Sequence, residues 1–260
     1  MYETNLQIPA RRLAWTLALV ATFLAIQSIL LRALQYWIGI HNTYWIYQYG
    51  ELVNINREAN IPTWYSTALL LGAALLLLTL TLTSRAGGRP YLGWAGLTAI
   101  FTYMSMDEAG TIHEKLTPIL QEQLNLSGYL YFGWVVVGIA VVLVVGLTFL
   151  PFVWRLPLHI RRWFILAGLL YIGGAVVVES VSANIWYVGG GTSLRFSAVG
   201  TVEEWMEMLG VITLIYGLLE YVRTEVGVVR LSVRRPAVRP MSQKVTDGEV
   251  QEAWRGSATP

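Results

Sequence analysis

The stretch MSMDEAGTIHEKL, at residues 104–116, places an acidic pair, a histidine and a further acid at the end of an apolar run. The side chains concerned are Asp107, Glu108, His113 and Glu114. Carboxylate oxygens and an imidazole nitrogen are ligands for divalent cations such as Mn²⁺, Fe²⁺, Zn²⁺ and Ca²⁺. The same groups also serve as general acids and bases. The stretch therefore predicts cation binding or proton transfer beside an apolar segment.

Two other apolar runs also carry acids. Glu179 lies in GGAVVVESVSANIWY, and TVEEWMEMLG contains Glu203, Glu204 and Glu207. An ionisable residue inside a membrane span is costly and is rarely retained without a partner or a function. The spacing of the three later acids lets two of them share one helix face.

The composition indicates a membrane protein. Of the 260 residues, 55% are hydrophobic and 13% are charged, and the mean hydropathy is +0.52. Each membrane crossing needs roughly 20 apolar residues, so the chain has room for about six helical spans. We place them near 13–35, 64–83, 91–109, 129–150, 163–186 and 203–222. The fold class is all-α, with one transmembrane domain over 1–222 and a basic tail over 223–260 that we expect to be disordered in part.

The distribution of basic residues predicts how the spans are oriented. Fourteen of the eighteen lysines and arginines fall in the termini and in alternate loops, on one side of the membrane. The positive-inside rule makes that side cytoplasmic, so both termini are cytoplasmic and the protein is expected in a cytoplasmic (inner) membrane. The opposite side receives four basic residues and ten acids. The acids of the third, fifth and sixth spans therefore reach the outer leaflet together.

Two segments on the outer side complete this arrangement. Residues 36–63 form a loop rich in tyrosine and tryptophan that is long enough to cover the mouth of the bundle. Residues 110–126 have the apolar spacing of a short amphipathic helix on the surface. If that helix continues from the third span, Asp107 and Glu114 lie on one stripe and His113 lies on the next.

Several readings of the acids remain open. Glu203 and Glu204 suit a helix N-terminus, where the helix dipole favours negative charge. For Glu179 we expect a partner, which is Arg32, a metal ion or a proton. The absence of cysteine excludes thiolate metal sites and disulfides. The HEKLT sequence lacks the second histidine of the zinc-protease helix.

We predict an acidic, histidine-containing pocket in the outer leaflet that binds a divalent metal ion (Mn, Fe, Zn or Ca). The predicted metal ligands are Asp107, His113, Glu179, Glu204 and Glu207, and the predicted catalytic residues are Glu108, His113 and Glu114. The leading hypothesis is a membrane metalloenzyme that acts on a lipid-like or outer-face substrate. The alternatives are a non-catalytic accessory subunit of a larger membrane complex and a cation or proton transporter. The expected partners are the lipid bilayer and other membrane subunits, and no nucleic acid is expected.

Overall fold

The structure is a computed structural model that describes residues 9–38 and 44–229. Within those ranges the chain is helical and contains no β-strand. The α-helices are α1 (Ala10–Ile38), α2 (Tyr44–Leu52), α3 (Ile61–Ala86), α4 (Leu92–Gly110), α5 (Leu116–Leu124), α6 (Trp134–Arg155), α7 (Leu158–Ile172), α8 (Glu179–Gly189) and α9 (Leu194–Tyr221). His41 and the tail from residue 230 onward lie outside the described residues.

Five continuous helical segments are long and apolar enough to cross a membrane, which is consistent with a multi-pass membrane protein. They are Ala10–Trp37, Ile61–Ala86, Trp134–Arg155, Leu158–Gly189 and Leu194–Val226. The third predicted span corresponds to α4, which is helical over 19 residues but carries two acids in its last turn. The number of six spans and the orientation of the termini stay predictions.

The core of the bundle is built around α9, which packs against α1, α3 and α7. Its buried residues include Met208 and Leu218, which meet Leu70 and Leu77 of α3 in one apolar cluster. Polar side chains also join the helices. Tyr65 donates to the Leu17 carbonyl at 2.7 Å, and Trp205 Nε1 donates to Thr22 Oγ1 at 3.1 Å.

Among the five long apolar segments of the described residues, α6 is the most apolar and the least buried. Of its 22 residues only Val135 is buried, and Leu147 is 72% exposed. An apolar helix with so little buried surface is expected to face lipid along its length.

Two contacts fix α6 at its ends. At its start, the Trp134 ring packs edge-on against the His113 ring, with the centroids 4.8 Å apart. Near its end, Phe152 and Phe149 lie over Gly93 and Gly96 of α4, where any Cβ atom would collide with their rings. The helix is therefore attached at two points and exposed between them.

The segment before Glu179 departs from regular α-helix. Residues Gly173–Val178 form a π-helical turn between α7 and α8. At Gly174, an added Cβ would lie 2.8 Å from the backbone oxygen of Glu203 and 2.9 Å from Cγ of Glu207. Gly174 thus allows α9 to pack closely. The wide π-helical turn also rotates Glu179 about the helix axis, relative to its position in a regular α-helix. Such π-turns occur frequently at functional sites.

Candidate functional site

The predicted site residues gather at one end of the bundle, which we call the acidic end. There α4 and α8 finish, and α3, α6 and α9 begin. The carboxylate cluster, as we define it, consists of Glu58, Glu108, Glu114, Glu179, Glu203, Glu204 and Glu207. These side chains come from the loop before α3, from α4 and the turn after it, and from α8 and α9.

Glu204 lies close to acids that come from several different elements. Its carboxylate is within electrostatic range of Glu58, Glu108, Glu179 and Glu207. Glutamates from α4, α8 and α9 therefore lie within electrostatic range of Glu204 or belong to its own helix. Sequence analysis did not select Glu58, because it lies in a loop and not in an apolar run.

Glu179 and Glu203 form a pair within the cluster. The Glu203 side chain is buried, and its Oε2 accepts a hydrogen bond from Ser182 at 2.8 Å. The Glu179 carboxylate is within hydrogen-bonding reach of Glu203 and accepts the indole N–H of Trp134 at 3.1 Å. This pair is thus held by donors from α6 and α8.

Glu204 and Glu207 are surrounded by neighbouring helices, yet each keeps some accessible surface. The Tyr171 hydroxyl lies within hydrogen-bonding reach of Glu207, so α7 contributes a polar group beside these two acids.

The turn after α4 folds back onto the helix. Thr111 adopts the left-handed conformation with φ 52°, which ends α4 at Gly110. Asp107 Oδ1 then accepts the backbone N–H of His113 at 2.9 Å, and Oδ2 lies 2.8 Å from His113 Nδ1. Asp107 therefore holds the imidazole in place with both of its oxygens.

This turn corrects two sequence expectations. The surface helix begins at Leu116 and not near residue 110, so α5 does not continue the third span. The predicted stripe joining Asp107 to Glu114 is wrong for the same reason, because residues 111–115 are not helical.

Two groups of the site lie outside the spans and have shifted pKa values. Burial, together with the charges of Glu108 and Glu114, raises the pKa of Glu58 to about 7. For His113, burial opposes the charged ring. The hydrogen bond and charge of Asp107, with the charges of Glu114 and Glu179, outweigh it and raise the pKa to about 9.

Three of the four basic residues predicted on the outer side have partners outside the cluster. Arg32 donates to Gln35 at 3.3 Å, Arg57 pairs with Glu51 at 2.9 Å, and Lys115 donates to the Gly110 carbonyl at 2.8 Å. Across residues 9–38 and 44–229, no arginine or lysine forms an ion pair with the carboxylate cluster. Arg32 is therefore not the partner of Glu179, and a metal ion and a proton remain as the alternatives.

The cluster is loose in this structure. In the part of the chain that the structure describes, no three histidine, aspartate or glutamate side chains are close enough together to hold a metal ion. Any ion bound here would require the carboxylates to change rotamers and move inward.

Over the described residues, the fold and the site define a helical protein with five helical segments long and apolar enough to span a membrane and with an acidic cluster. The chain belongs to the family described as domain of unknown function (DUF8692), whose model matches residues 12–221. No curated protein and no solved structure matches the chain.

Proposed function

We propose that this protein binds a divalent cation in the carboxylate cluster at the acidic end of its bundle. The observation that carries the proposal is that no arginine or lysine among the described residues pairs with the cluster. Carboxylates gathered at membrane depth repel one another and are expensive to keep without compensation. A cation drawn among them would relieve that repulsion.

The proposed ligands are Glu179, Glu204 and Glu207. Oxygen donors of this type favour Mn²⁺ and Ca²⁺, and they also accept Fe²⁺ and Zn²⁺ when an imidazole joins them. Asp107 is better suited to position His113 than to bind metal, because both of its oxygens already contact that residue. A carboxylate that orients a histidine is a common outer partner of metal sites.

The proposed chemistry is metal-assisted hydrolysis, in which water would attack a lipid-like or outer-face substrate and the leaving group would take up a proton. A bound metal would lower the pKa of a water molecule and so supply a nucleophile near neutral pH. His113, held by Asp107 beside Trp134, is positioned to carry a proton, and Glu108 or Glu114 would act as general base. Glu114 is exposed, which favours exchange of its proton with solvent.

The two alternatives receive less support. An accessory subunit would pair its acids with internal arginines or with arginines of a partner subunit, and the described internal arginines of the acidic end that form contacts have other partners. A transporter would place ionisable groups along a path across the membrane, whereas the cluster extends from the loop before α3 only as far as Glu207, midway along α9.

The test is the metal content of the protein purified in detergent without chelator, measured by elemental mass spectrometry. We expect near-stoichiometric metal in the wild type and its loss in the double variant Glu179→Gln, Glu204→Gln. Glu122→Gln removes an exposed acid from α5 and is the matched control that should retain the metal.

A second measurement tests metal binding even if the bound metal is lost during purification. Mn²⁺ is added to chelator-treated protein, and the free Mn²⁺ signal is followed by electron paramagnetic resonance. Failure of the wild type to bind Mn²⁺ more tightly than the double variant, together with no co-purified metal, would overturn the proposal.

A further inference from the structure

Helices α4 and α6 face each other along two stripes of residues spaced three or four positions apart, a spacing that keeps each stripe on one helix face. The α4 stripe consists of Gly93, Gly96, Ile100, Tyr103 and Asp107. The α6 stripe consists of Trp134, Gly138, Val142, Val145, Phe149 and Phe152. An added Cβ at Gly93 would collide with the Phe152 ring, and one at Gly96 would collide with the Phe149 ring. These contacts define an antiparallel register, in which the middle of one stripe lies level with the middle of the other.

The two stripes are in contact at their ends and open between them. At one end the phenylalanine rings cover the glycines, and at the other Trp134 packs against His113 in the turn after α4. Between these contacts, Tyr103 is 56% exposed, and Val142 and Val145 keep accessible surface. Helix α6 packs mainly against α5, α7 and the π-helical turn, whereas α4 packs mainly against α3. We call the space between the two stripes the α4–α6 groove.

The α4–α6 groove is apolar and lies on the lipid side of the bundle. Helix α6, which forms one wall, has a mean hydropathy of 2.8, and the other wall is mostly aliphatic and aromatic. From Gly96 to Asp107 the α4 stripe advances eleven positions, which is roughly 16 Å of helix. The surrounding solvent of such a surface is hydrocarbon. A groove of this length and lining therefore suits an acyl chain of a bilayer lipid.

The outer end of the groove reaches the candidate site. Asp107, the last residue of the α4 stripe, holds the His113 ring. Trp134, the first residue of the α6 stripe, donates its indole N–H to Glu179 at 3.1 Å. An added Cβ at Gly138 would lie 2.9 Å from the indole, so the ring lies along α6 and closes the groove at this end. The polar end of a lipid in the groove would thus lie beside the imidazole and the carboxylate cluster.

We propose that the α4–α6 groove binds one acyl chain of a zwitterionic phospholipid whose headgroup carries an ammonium group. The charge of the acidic end supports this class of lipid. The predicted outer side carries ten acids and four basic residues, which attract an ammonium group and repel a lipid with a net negative charge. Glu114, in the turn beside His113, is exposed to such a headgroup. A role of this lipid as the substrate rests on the proposed function, whereas its binding does not.

The experiment is native mass spectrometry of the delipidated, chelator-treated full chain in a mild detergent. Phosphatidylethanolamine is titrated against the protein, and phosphatidylglycerol with the same acyl chains is the anionic comparison. Val142→Trp fills the groove from the middle of the α6 stripe. Leu147→Trp is the matched control, because Leu147 is 72% exposed and lies on the opposite face of the same helix.

We expect one tightly bound phosphatidylethanolamine per chain and several-fold weaker binding of phosphatidylglycerol. Val142→Trp should weaken phosphatidylethanolamine by roughly tenfold, the change expected if about two methylene groups lose their contact. Leu147→Trp should change the affinity by less than twofold. The thermal midpoint of each variant shows whether it is folded.

A second measurement uses the wild type and decides if Val142→Trp does not fold. Phosphatidylethanolamine with a diazirine midway along one acyl chain is bound to the protein and photolysed, and the cross-linked residues are mapped by mass spectrometry. We expect cross-links at Ile100 and Tyr103 of α4 and at Val142 and Val145 of α6. Lipid that only surrounds the protein would instead react with Leu147 to the same extent.

Four results would overturn the proposal. They are the absence of a one-to-one lipid adduct, equal effects of Val142→Trp and Leu147→Trp, phosphatidylglycerol binding as tight as that of phosphatidylethanolamine, and cross-links without preference for the groove. Failure of the proposed function is recognised separately, because the lipid is measured without metal. Lipid binding by a protein that binds no metal would contradict the proposed function alone, and metal binding without lipid binding would contradict the groove alone.

Discussion

Asp107 contacts His113 twice, through its Oδ1 atom to the backbone N–H at 2.9 Å and through its Oδ2 atom to the ring Nδ1 at 2.8 Å. The first contact fixes the turn that ends α4, and the second orients the imidazole. Because the pKa of His113 is raised to about 9, the ring is an imidazolium at neutral pH. The Asp107 carboxylate therefore stabilises both the backbone conformation of the turn and the positive charge of His113.

The first prediction concerns the Asp107→Asn variant. An amide keeps much of the shape but removes the charge that stabilises the imidazolium, so the pKa of His113 should fall by about one unit or more. The chain has three histidines, so NMR titration of isotopically labelled histidine in chelator-treated protein can resolve each ring. His159, which contacts Thr224, is the internal control. An unchanged pKa of His113 would show that Asp107 does not set it.

The second prediction concerns stability as a function of pH. The pKa of Glu58 rises from 4.5 to about 7 on folding, so the folded state binds this proton more tightly than the unfolded state. Its contribution to stability is therefore complete below about pH 4.5 and is lost as the pH rises through about 7. Glu58→Gln should remove this pH-dependent loss of stability. The measurement is the thermal midpoint in detergent at several pH values in this range. Glu122→Gln should retain the wild-type slope, and an equal effect of the two variants would contradict the assignment.

The third prediction tests the close approach of α9 to the π-helical turn. A methyl group at Gly174 would lie 2.8 Å from the Glu203 backbone oxygen, so Gly174→Ala should destabilise the protein by about 1–3 kcal/mol. At Gly168 of α7 an added Cβ meets nothing within 4 Å. Gly168→Ala is therefore the control and should be neutral or stabilising. Equal unfolding curves for both variants would mean that the two helices separate easily.

The fourth prediction concerns the loop that carries Glu58. Ala59 has a φ of 58°, in the left-handed region where a Cβ atom is strained by about 1–2 kcal/mol. Its neighbour Asn60 caps α3 by accepting from the Thr63 backbone N–H at 3.1 Å. Ala59→Gly should raise the free energy of unfolding and leave the cap intact, whereas Ala59→Val should lower it. Thermal unfolding of the two variants in detergent provides the comparison, and the opposite order would be inconsistent with the strained conformation.

The fifth prediction tests the orientation in the membrane. The chain contains no cysteine, so single cysteines can be labelled without background. In intact cells, a membrane-impermeant maleimide should react with Ser127→Cys, at the acidic end. It should reach Ser242→Cys, in the predicted cytoplasmic tail, only after lysis. Labelling of both before lysis, or of the tail alone, would contradict the predicted orientation.

Much of the helical arrangement follows from hydrophobicity. Predicted spans at 64–83 and 163–186 lie within the observed segments Ile61–Ala86 and Leu158–Gly189. The predicted start of the last span at residue 203 was nine residues late, because α9 begins after the Ser193 cap. Its early turns are polar enough to resemble a loop, but Asn56 donates to the Ser197 carbonyl and holds them in place.

The site was predicted less completely than the helices. Acids in apolar runs are conspicuous, which is why Glu179 and Glu204 were found from sequence. Glu58 and Tyr171 were missed, since neither stands out from its neighbours until the helices are packed. The π-helical turn and the reversal at Thr111 depend on tertiary contacts, and no periodicity in the sequence encodes them.

From the two-point attachment of α6 we expect the site to respond to the thickness of the bilayer. From Trp134 to the phenylalanines near its other end, α6 spans about 15 to 18 residues, which is roughly 25 Å at 1.5 Å per residue. That length is close to the roughly 30 Å hydrocarbon core that surrounds it. A thicker or thinner membrane must tilt or displace α6, and Trp134 is the residue that touches both His113 and Glu179. Lipid chain length would thereby act on the histidine and the glutamate through a single indole ring.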